Sequence, residues 1–430
     1  MELVINDRIR NRTVALFNKV RINLKFDSVA STFAFEYYFN PNNNEHKELS
    51  CIGHYHIAKL MHNGETLLTG YVLSIAFNGG PVRQLVTIGG YSLPGVLEDC
   101  EIPIALEGMG LDNDNLSLKD IAVRYLKPFG LGLVIDESVI TQANNNISEQ
   151  TPANQPAEAL PIGVAAPTIS NLLQPQFLSQ NLSELEADEG KIDKWGMLIT
   201  PWGNDGASVT DKMDDKILKS TAQIGQNIKG YLSKLASYKN IILSHDEKGN
   251  VVFTKAKKQA KPVATYSQGM SATTMSLSFN GQQMHSHITC VQQPDSESGE
   301  VANMSTVRNP FVPYVFRPKT IVVSNPPDGV DYTLTSAKNA LADELRGLRL
   351  IITTSRWTFP NGKVIRPNNV IDVINSEIYL YKSSRWFIEE VSLEGDEKQQ
   401  IAKITCVLPS VYDYSQPTYY FEGINVLHKK

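Results

Sequence analysis

The stretch Val20-Arg21-Ile22-Asn23-Leu24-Lys25-Phe26 alternates apolar and polar residues without a fault. A chain with period 2 places one set of side chains on each face of an extended backbone, so this segment reads as a half-buried β-strand. The period returns at Phe33, Phe35, Tyr37 and Phe39. It returns again at Leu67, Tyr71, Leu73, Ile75 and Phe77, after the turn His62-Asn63-Gly64-Glu65. Strands this close together, joined by Asn-Gly turns, predict antiparallel pairing and a small β-barrel or sandwich over residues 1–105.

The period then changes. Leu118, Ile121, Ala122 and Tyr125 fall at helical spacing, with Ser117 and Asp120 as a capping box and Pro128 and Gly130 as the stop. A short strand, Leu131 to Ile135, follows. A second helix is predicted from Ile224, Ile228, Tyr231, Leu232 and Leu235, capped by Ser220 with Gln223. A hairpin comes next, Ile241 to Ser244 and Val251 to Thr254. Residues 106–140 and 216–261 therefore read as an α+β module, ended by the basic stretch Lys255 to Lys261 as a solvated linker. Between its two parts lies an irregular insertion, 141–215, with Pro152, Pro156, Pro161, Pro167 and Pro175. Its composition predicts a position peripheral to the barrels, because it can bury little apolar area against the entropy of ordering. Trp195, Met197, Leu198, Ile199 and Trp202 in its second half are the residues that can pack.

Residues 262–415 return to β patterning, with one helix around 336–346, and predict a second barrel region; 416–430 form a C-terminal tail. Trp357, then Pro360-Asn361-Gly362-Lys363, then Val364 to Val373 spell a strand, a tight Asn-Gly turn and another strand. The last strands run Trp386 to Leu393 and Ile401 to Leu408, with Ala402, Ile404, Cys406 and Leu408 on one face. The fold class is mainly β with α+β: two small antiparallel β-barrels flanking a helix-plus-hairpin module. No tandem repeat is visible in the letters.

At 430 residues with 42% hydrophobic content the chain can bury real cores. A net charge of −5 argues against binding nucleic acid through phosphate contacts. Cys51, Cys100, Cys290 and Cys406 stand too far apart in sequence for a metal or redox motif, which points to synthesis in a reducing cytoplasm. The N-terminus carries no signal-like apolar run, and no stretch approaches the roughly 20 apolar residues of a membrane helix.

Candidate chemistry is sparse. His54-x-His56 and His285-x-His287 place two imidazoles on one strand face, with His62 as a third ligand for the first pair; polar strand-face residues explain them more simply. Asp112-Asn113-Asp114-Asn115 lacks the glycine and distal glutamate of a calcium loop. Glu184, Glu186, Asp188 and Glu189 read as a solvated acidic turn rather than a glycosidase pair. Tyr314-Val315-Phe316-Arg317-Pro318-Lys319 interleaves aromatics with positive charge, as single-strand binders do, but an edge strand with solvated ends explains it more simply. There is no phosphate-binding glycine loop and no nucleophile elbow. No catalytic, cofactor-binding or metal residue is assigned, no cofactor is expected, and the chain is not expected to be an enzyme.

Four stretches carry a resemblance to a family. They are Gly64 to Val72; Leu118 to Phe129 followed by Leu131-Gly132-Leu133; Ile224 to Leu235 with the hairpin closing on Gly249-Asn250-Val251-Val252-Phe253-Thr254; and Trp357 to Val373 with Arg317-Pro318 upstream. In this order they resemble the Mu-type contractile phage baseplate hub proteins, of the late control D and type VI spike N-terminal superfamily. The long insertion departs from the short hub proteins. The resemblance implies a homotrimeric structural hub in the virion, in which two β-barrels per subunit present six and join the sixfold tail tube protein to the threefold central spike protein. It also implies a channel for DNA passage, without sequence-specific nucleic-acid binding. The 141–215 insertion would meet wedge or other baseplate proteins. Two alternatives stay open: a tail-tip hub of a non-contractile phage, and a tail-associated cell-wall hydrolase.

Overall fold

The structure is a computed structural model that describes residues 2–6, 11–14, 17–80, 84–106, 110–136, 139, 192–202, 216–217, 219–256, 261–292, 303–323, 332–396, 398–419 and 421. Most of the insertion and most of the tail lie outside these residues. The first β region holds β1 (Glu2–Asn6), β2 (Asn11–Val14), β3 (Lys19–Lys25), β4 (Thr32–Tyr38), β5 (Ile57–His62), β6 (Glu65–Asn78) and β7 (Leu85–Ser92). The middle of the chain holds β8 (Leu116–Ser117), helix Leu118–Leu126, β9 (Leu133–Ile135), β10 (Lys216–Ile217), helix Ile228–Tyr238, β11 (Ile242–His245) and β12 (Val251–Thr254). The remainder holds β13 (Thr265–Ser267), β14 (Thr273–Phe279), β15 (His287–Gln292), β16 (Met304–Arg308), β17 (Pro318–Val323), helix Thr333–Leu345, β18 (Leu348–Thr354), β19 (Val370–Asn375), β20 (Leu380–Asp396) and β21 (Gln400–Val407).

The protein is mainly β with α+β character. The two β regions are not separate closed barrels, however. They share one 13-stranded sheet, ordered β14-β18-β21-β20-β3-β4-β7-β6-β5-β1-β2, with β19 beside β20 and β13 beside β19. The joint is β20, which is long enough to serve two neighbours in turn. Its first part pairs with β19 from Phe387 back to Leu380, and its last part, Glu390 to Asp396, pairs with β3. One apolar core accordingly runs through both regions, from Val20, Ile22 and Phe35 to Ile352, Trp386 and Ile404.

The two halves of this sheet repeat each other. The order β3-β4-β7-β6-β5 in the first matches β14-β18-β21-β20-β19 in the second. The irregularities match as well. β6 bulges between Val72 and Ser74 against β7, and β20 bulges between Ile388 and Glu390 against β21. β5 slips after Leu60, and β19 slips after Val373. A bulge re-aims every side chain beyond it. This corrects the reading of Tyr71, Leu73, Ile75 and Phe77 as one buried face. Before the bulge Leu68, Gly70 and Val72 point inward; Leu73 is the bulged residue and is exposed.

The middle module has its own core of Leu118, Ile121, Tyr125, Ile228, Leu232, Val251 and Phe253. Ser117 caps the first helix by accepting from Asp120 N, and Gly130 at φ 64° ends the turn that follows it. The second helix starts later than the pattern suggested. Asn227, not Ser220, is its cap and accepts from Gly230 N at 2.7 Å. Gly225 at φ 79° turns the chain just before it, which leaves Ile224 exposed. The Asn361-Gly362 turn also differs from expectation. Only Gly362 has positive φ, and Phe359 N donates to Lys363 O while Gly362 N donates to Phe359 O. That is a three-residue loop with a glycine bulge, flanked by the single bridge Thr358–Val364 rather than two full strands.

Candidate interaction surface

Three places in this fold hold functional-looking groups: the joint between the halves, a buried histidine pin, and two open strand edges.

At the joint, the bulge of β20 turns Glu389 toward the end of helix Thr333–Leu345. Arg346 Nη1 lies 2.9 Å from Asp27 Oδ2, contacts Glu389 Oε1, and donates to Tyr412 OH at 3.0 Å. The Tyr412 hydroxyl donates to Glu389 Oε1 at 2.8 Å. Burial, followed by the charges of Asp27 and Glu389, pushes the Tyr412 hydroxyl far up. Burial works against the Arg346 charge, but Tyr412, Asp27, Glu389 and Asp343 outweigh it and hold the guanidinium protonated. Phe26 packs edge-on against Phe387 and Tyr412, each at 5.0 Å between ring centroids. With its charges paired in this arrangement, the cluster works as a clamp between the halves.

The histidines do not form the metal sites that their spacing allows. His54 and His56 precede β5 instead of lying in it. His54 Nε2 approaches Cys51 Sγ at 3.2 Å, and His56 Nε2 bonds Glu48 O at 2.9 Å. His62 stacks on Trp357 at 5.1 Å, away from both. His285 pairs with Glu344 at 2.7 Å. Among the described residues no group of three or more His, Cys, Asp or Glu comes together to hold a metal.

His287 has a different role. Its Nε2 meets Asp193 Oδ2 at 2.7 Å and its Nδ1 meets Ser286 Oγ at 2.9 Å. This has the membership of a hydrolase triad but not its geometry. In a working triad serine bonds Nε2 and the carboxylate bonds Nδ1; here the two are exchanged. Ser286 and His287 are also 0% exposed, and Ser286 Oγ already accepts from Arg317 N. Burial holds the imidazole below its usual pKa and so neutral, Nε2–H donating to Asp193 and Nδ1 accepting from Ser286. Asp193 Oδ1 accepts from Trp195 N and Met197 N. The chain pins residues 192–202 to the β16-β15-β17 sheet, and Trp202 Nε1 bonds Tyr414 O. This piece of the predicted insertion is therefore packed on the second β region.

The other sequence candidates are structural too. Asn113 is buried and donates to Tyr125 OH and Tyr231 OH, while Asp114 accepts from Ser220 N, so the acidic loop stitches the middle module together. The aromatic-basic stretch leads into β17, an edge strand begun by Pro318, where Lys319 pairs with Glu344 and Arg317 is spent on Gly281 O and Gln282 O. The acidic cluster at 184–189 lies outside the described residues.

Sequence reasoning missed the open edges. Among the described residues β14 pairs with β18 alone. Asn280 N donates to Gly347 O and Ser355 N to Ala272 O, which fixes the phase of that ladder. Even-numbered residues turn their backbone groups to β18, so Thr273, Met275, Leu277 and Phe279 turn theirs outward. The second edge is β6 beyond its bulge, because β5 accompanies it only as far as Tyr71. Both edges carry apolar residues in contact with solvent: Phe77 is 43% exposed and Phe279 53%. Neither edge carries a charge or a proline, the usual devices that keep edges apart.

No protein-family model and no curated protein matches the chain. Among solved structures, the fold is similar to that of the 43 kDa tail protein of prophage MuSo2 from Shewanella oneidensis. That match has a TM-score of 0.67 at 16% identity and covers 96% of this chain and 100% of the other. A tail protein from Neisseria meningitidis MC58 matches with TM-score 0.64 at 15% identity over 96% and 98% of the two chains. The prophage tail protein gp18 from Listeria monocytogenes EGD-e matches with TM-score 0.51 at 9% identity over 95% and 94%. This chain thus has the fold of solved phage tail proteins along nearly its whole length.

Proposed function

We propose that the protein is the structural hub of a phage tail baseplate: a homotrimeric adaptor that joins the sixfold tail tube protein to the threefold central spike and surrounds a channel for DNA. It acts in the virion, after synthesis in the host cytoplasm, and by geometry rather than catalysis. The fold shared with tail proteins supports the setting. The observation that carries the reading is the repeat within the sheet. Each chain supplies two units of the same strand order, so three chains around a threefold axis supply six, and an interface of that kind matches a sixfold ring on one side and a threefold spike on the other. The neutral, tightly bonded Ser286–His287–Asp193 chain supports a role without hydrolysis. The test is the mass of the purified protein by light scattering at high concentration, together with its arrangement in an assembled particle. The expected mass is three times the chain's 47.7 kDa. A monomer in both settings would sink the reading.

A further inference from the structure

We infer that the open edge of β14 in one copy pairs antiparallel with the open end of β6, Ser74 to Asn78, in the next copy, in the register that β3 and β20 use inside a single chain. This rests on the oligomeric hub proposed above and specifies how its subunits meet.

The internal seam is the template. Laid on their bulges, the two halves equate Ser74 with Glu390, Ile75 with Val391, Phe77 with Leu393 and Asn78 with Glu394. Followed through β7 and β4 on one side and β21 and β18 on the other, the ladders equate Val20 with Met275, Arg21 with Ser276, Ile22 with Leu277 and Leu24 with Phe279. Within the chain, Val391 pairs with Leu24, Leu393 with Ile22 and Glu394 with Arg21. The same ladder between copies sets Ile75 opposite Phe279, Phe77 opposite Leu277 and Asn78 opposite Ser276.

Three observations favour a second copy as the occupant. The outward backbone groups of β14 fall on Met275, Leu277 and Phe279, the counterparts of the β3 residues that face β20. The apolar positions of the seam stay apolar on the open edges but are less completely covered: Val391, Leu393 and Ile22 are 0% exposed, whereas Phe77, beside Phe39, and Phe279 are 43% and 53% exposed and Ile75, Met275 and Leu277 are only partly buried against the core. Both edges are also neutral, so neither repels the other, while the edge strand β17 is blunted by Pro318 and Lys319. Each copy offers one edge of each kind, which makes the contact head-to-tail and lets a ring close.

The test is a disulfide between Asn78→Cys and Ser276→Cys, placed together in a Cys51→Ser, Cys100→Ser background. On mild oxidation the double variant should give covalent oligomers up to the trimer on a non-reducing gel, and either single variant should not. Leu277→Pro removes an outward N–H without taking a bond from β18; Leu277→Ala loses the side chain alone. The proline variant should melt like the alanine variant yet run as a monomer, while the alanine variant still associates. A trimer by light scattering that neither cross-links nor responds to Leu277→Pro would overturn this pairing and leave the hub reading standing. Cross-linked rings of another size would support the pairing and overturn the trimer. A monomer at every concentration, with no cross-link, would overturn both.

Discussion

β20 has a neighbour on both edges along nearly its whole length, whereas β6 loses one of its neighbours after Tyr71. The two strands otherwise match, down to a bulge at the equivalent step. The difference between the halves is therefore one of coverage and not of architecture. The bulge residues show the same thing. Glu389 is buried in an ion-paired clamp, and its counterpart Leu73 is 39% exposed. The inner seam is completed within the chain, whereas the outer edges keep the same backbone phase and apolar positions without a strand partner among the described residues.

The halves also fill their cores differently. Gly70 and Gly90 approach neighbouring backbone so closely that a Cβ would lie 2.0 Å from Tyr91 O and 1.8 Å from Tyr71 O, and the Phe33 ring sits over both glycines. At the counterpart positions the second half has Trp386 and Cys406, with Leu350 in place of Phe33. Large and small residues have changed places across the sheet while the space stays filled. Trp357 has no such counterpart. Its indole Nε1 donates to Glu394 O and Ile401 O in the second half, and its ring lies 5.1 Å from His62 in the first. It ties the halves together from a loop that also sends Arg366 to Thr66 O at 2.7 Å. The largest expected effect follows. Trp357→Ala should cost about 4 kcal/mol in urea unfolding, the usual range for a buried tryptophan, and should lower the midpoints of both halves together. Loss confined to the second half would mean that the halves are coupled through the strands alone.

This explains how much the sequence could show. Alternation announces β3, β4 and β21 because one face of each is buried and the other wet, and the helix at Leu118 announces itself by its cap and its stop. The repeat stays hidden because its equivalences preserve only apolar character and register. Val20 answers to Met275, Gly70 to Trp386 and Phe33 to Leu350, and no comparison of letters aligns these. The bulge at Leu73 is hidden for a related reason: the odd-numbered apolar series runs straight through it, while the ladder with β7 changes phase. The open edges leave a faint trace in the sequence, since Thr-Thr-Met-Ser-Leu-Ser-Phe is a seven-residue strand without charge or proline. Only the pairing of its neighbours reveals that one side of it is free. The candidate chemistry at His287 was legible as a pair of histidines, but its partner Asp193 is 94 residues away, and nothing local points to it.

The middle-sized effect uses a position where the halves differ in titration. Two residues beyond the matched pair Leu60 and Val373, β5 carries His62 and β19 carries Asn375, both buried. Burial lowers the His62 pKa from the usual 6.5, with a smaller contribution from the chain's amino terminus. A depressed histidine pKa means that the fold favours the neutral ring. Its contribution to stability is complete above the unfolded value and falls away as the pH drops from about 6.5 toward the folded value. His62→Asn, which copies the second half, should flatten the acid dependence of the melting free energy by up to one proton, about 1.4 kcal/mol per pH unit. Denaturant curves from pH 7.5 to 5 give the slope. An unchanged slope would assign the acid sensitivity to the other depressed imidazoles, half-buried His245 and buried His287.

The smallest expected effect is the sharpest test of the comparison. Across the inner seam, Arg21 Nε meets Glu394 Oε1 at 3.0 Å, but the two side chains are 68% and 46% exposed. Pairs this open to water contribute about 0–1 kcal/mol. Their counterparts on the open edges, Ser276 and Asn78, are neutral. If the ladder and the apolar residues beneath it hold the seam, Arg21→Ser with Glu394→Asn makes the inner seam resemble the outer one at little cost. The expected change is under about 1 kcal/mol in urea unfolding, and it should shrink further in high salt. A loss of several kcal/mol would mean that the ion pair, absent from β6 and β14, is what joins the halves, and the outer edges would then lack the feature that makes the inner seam stable.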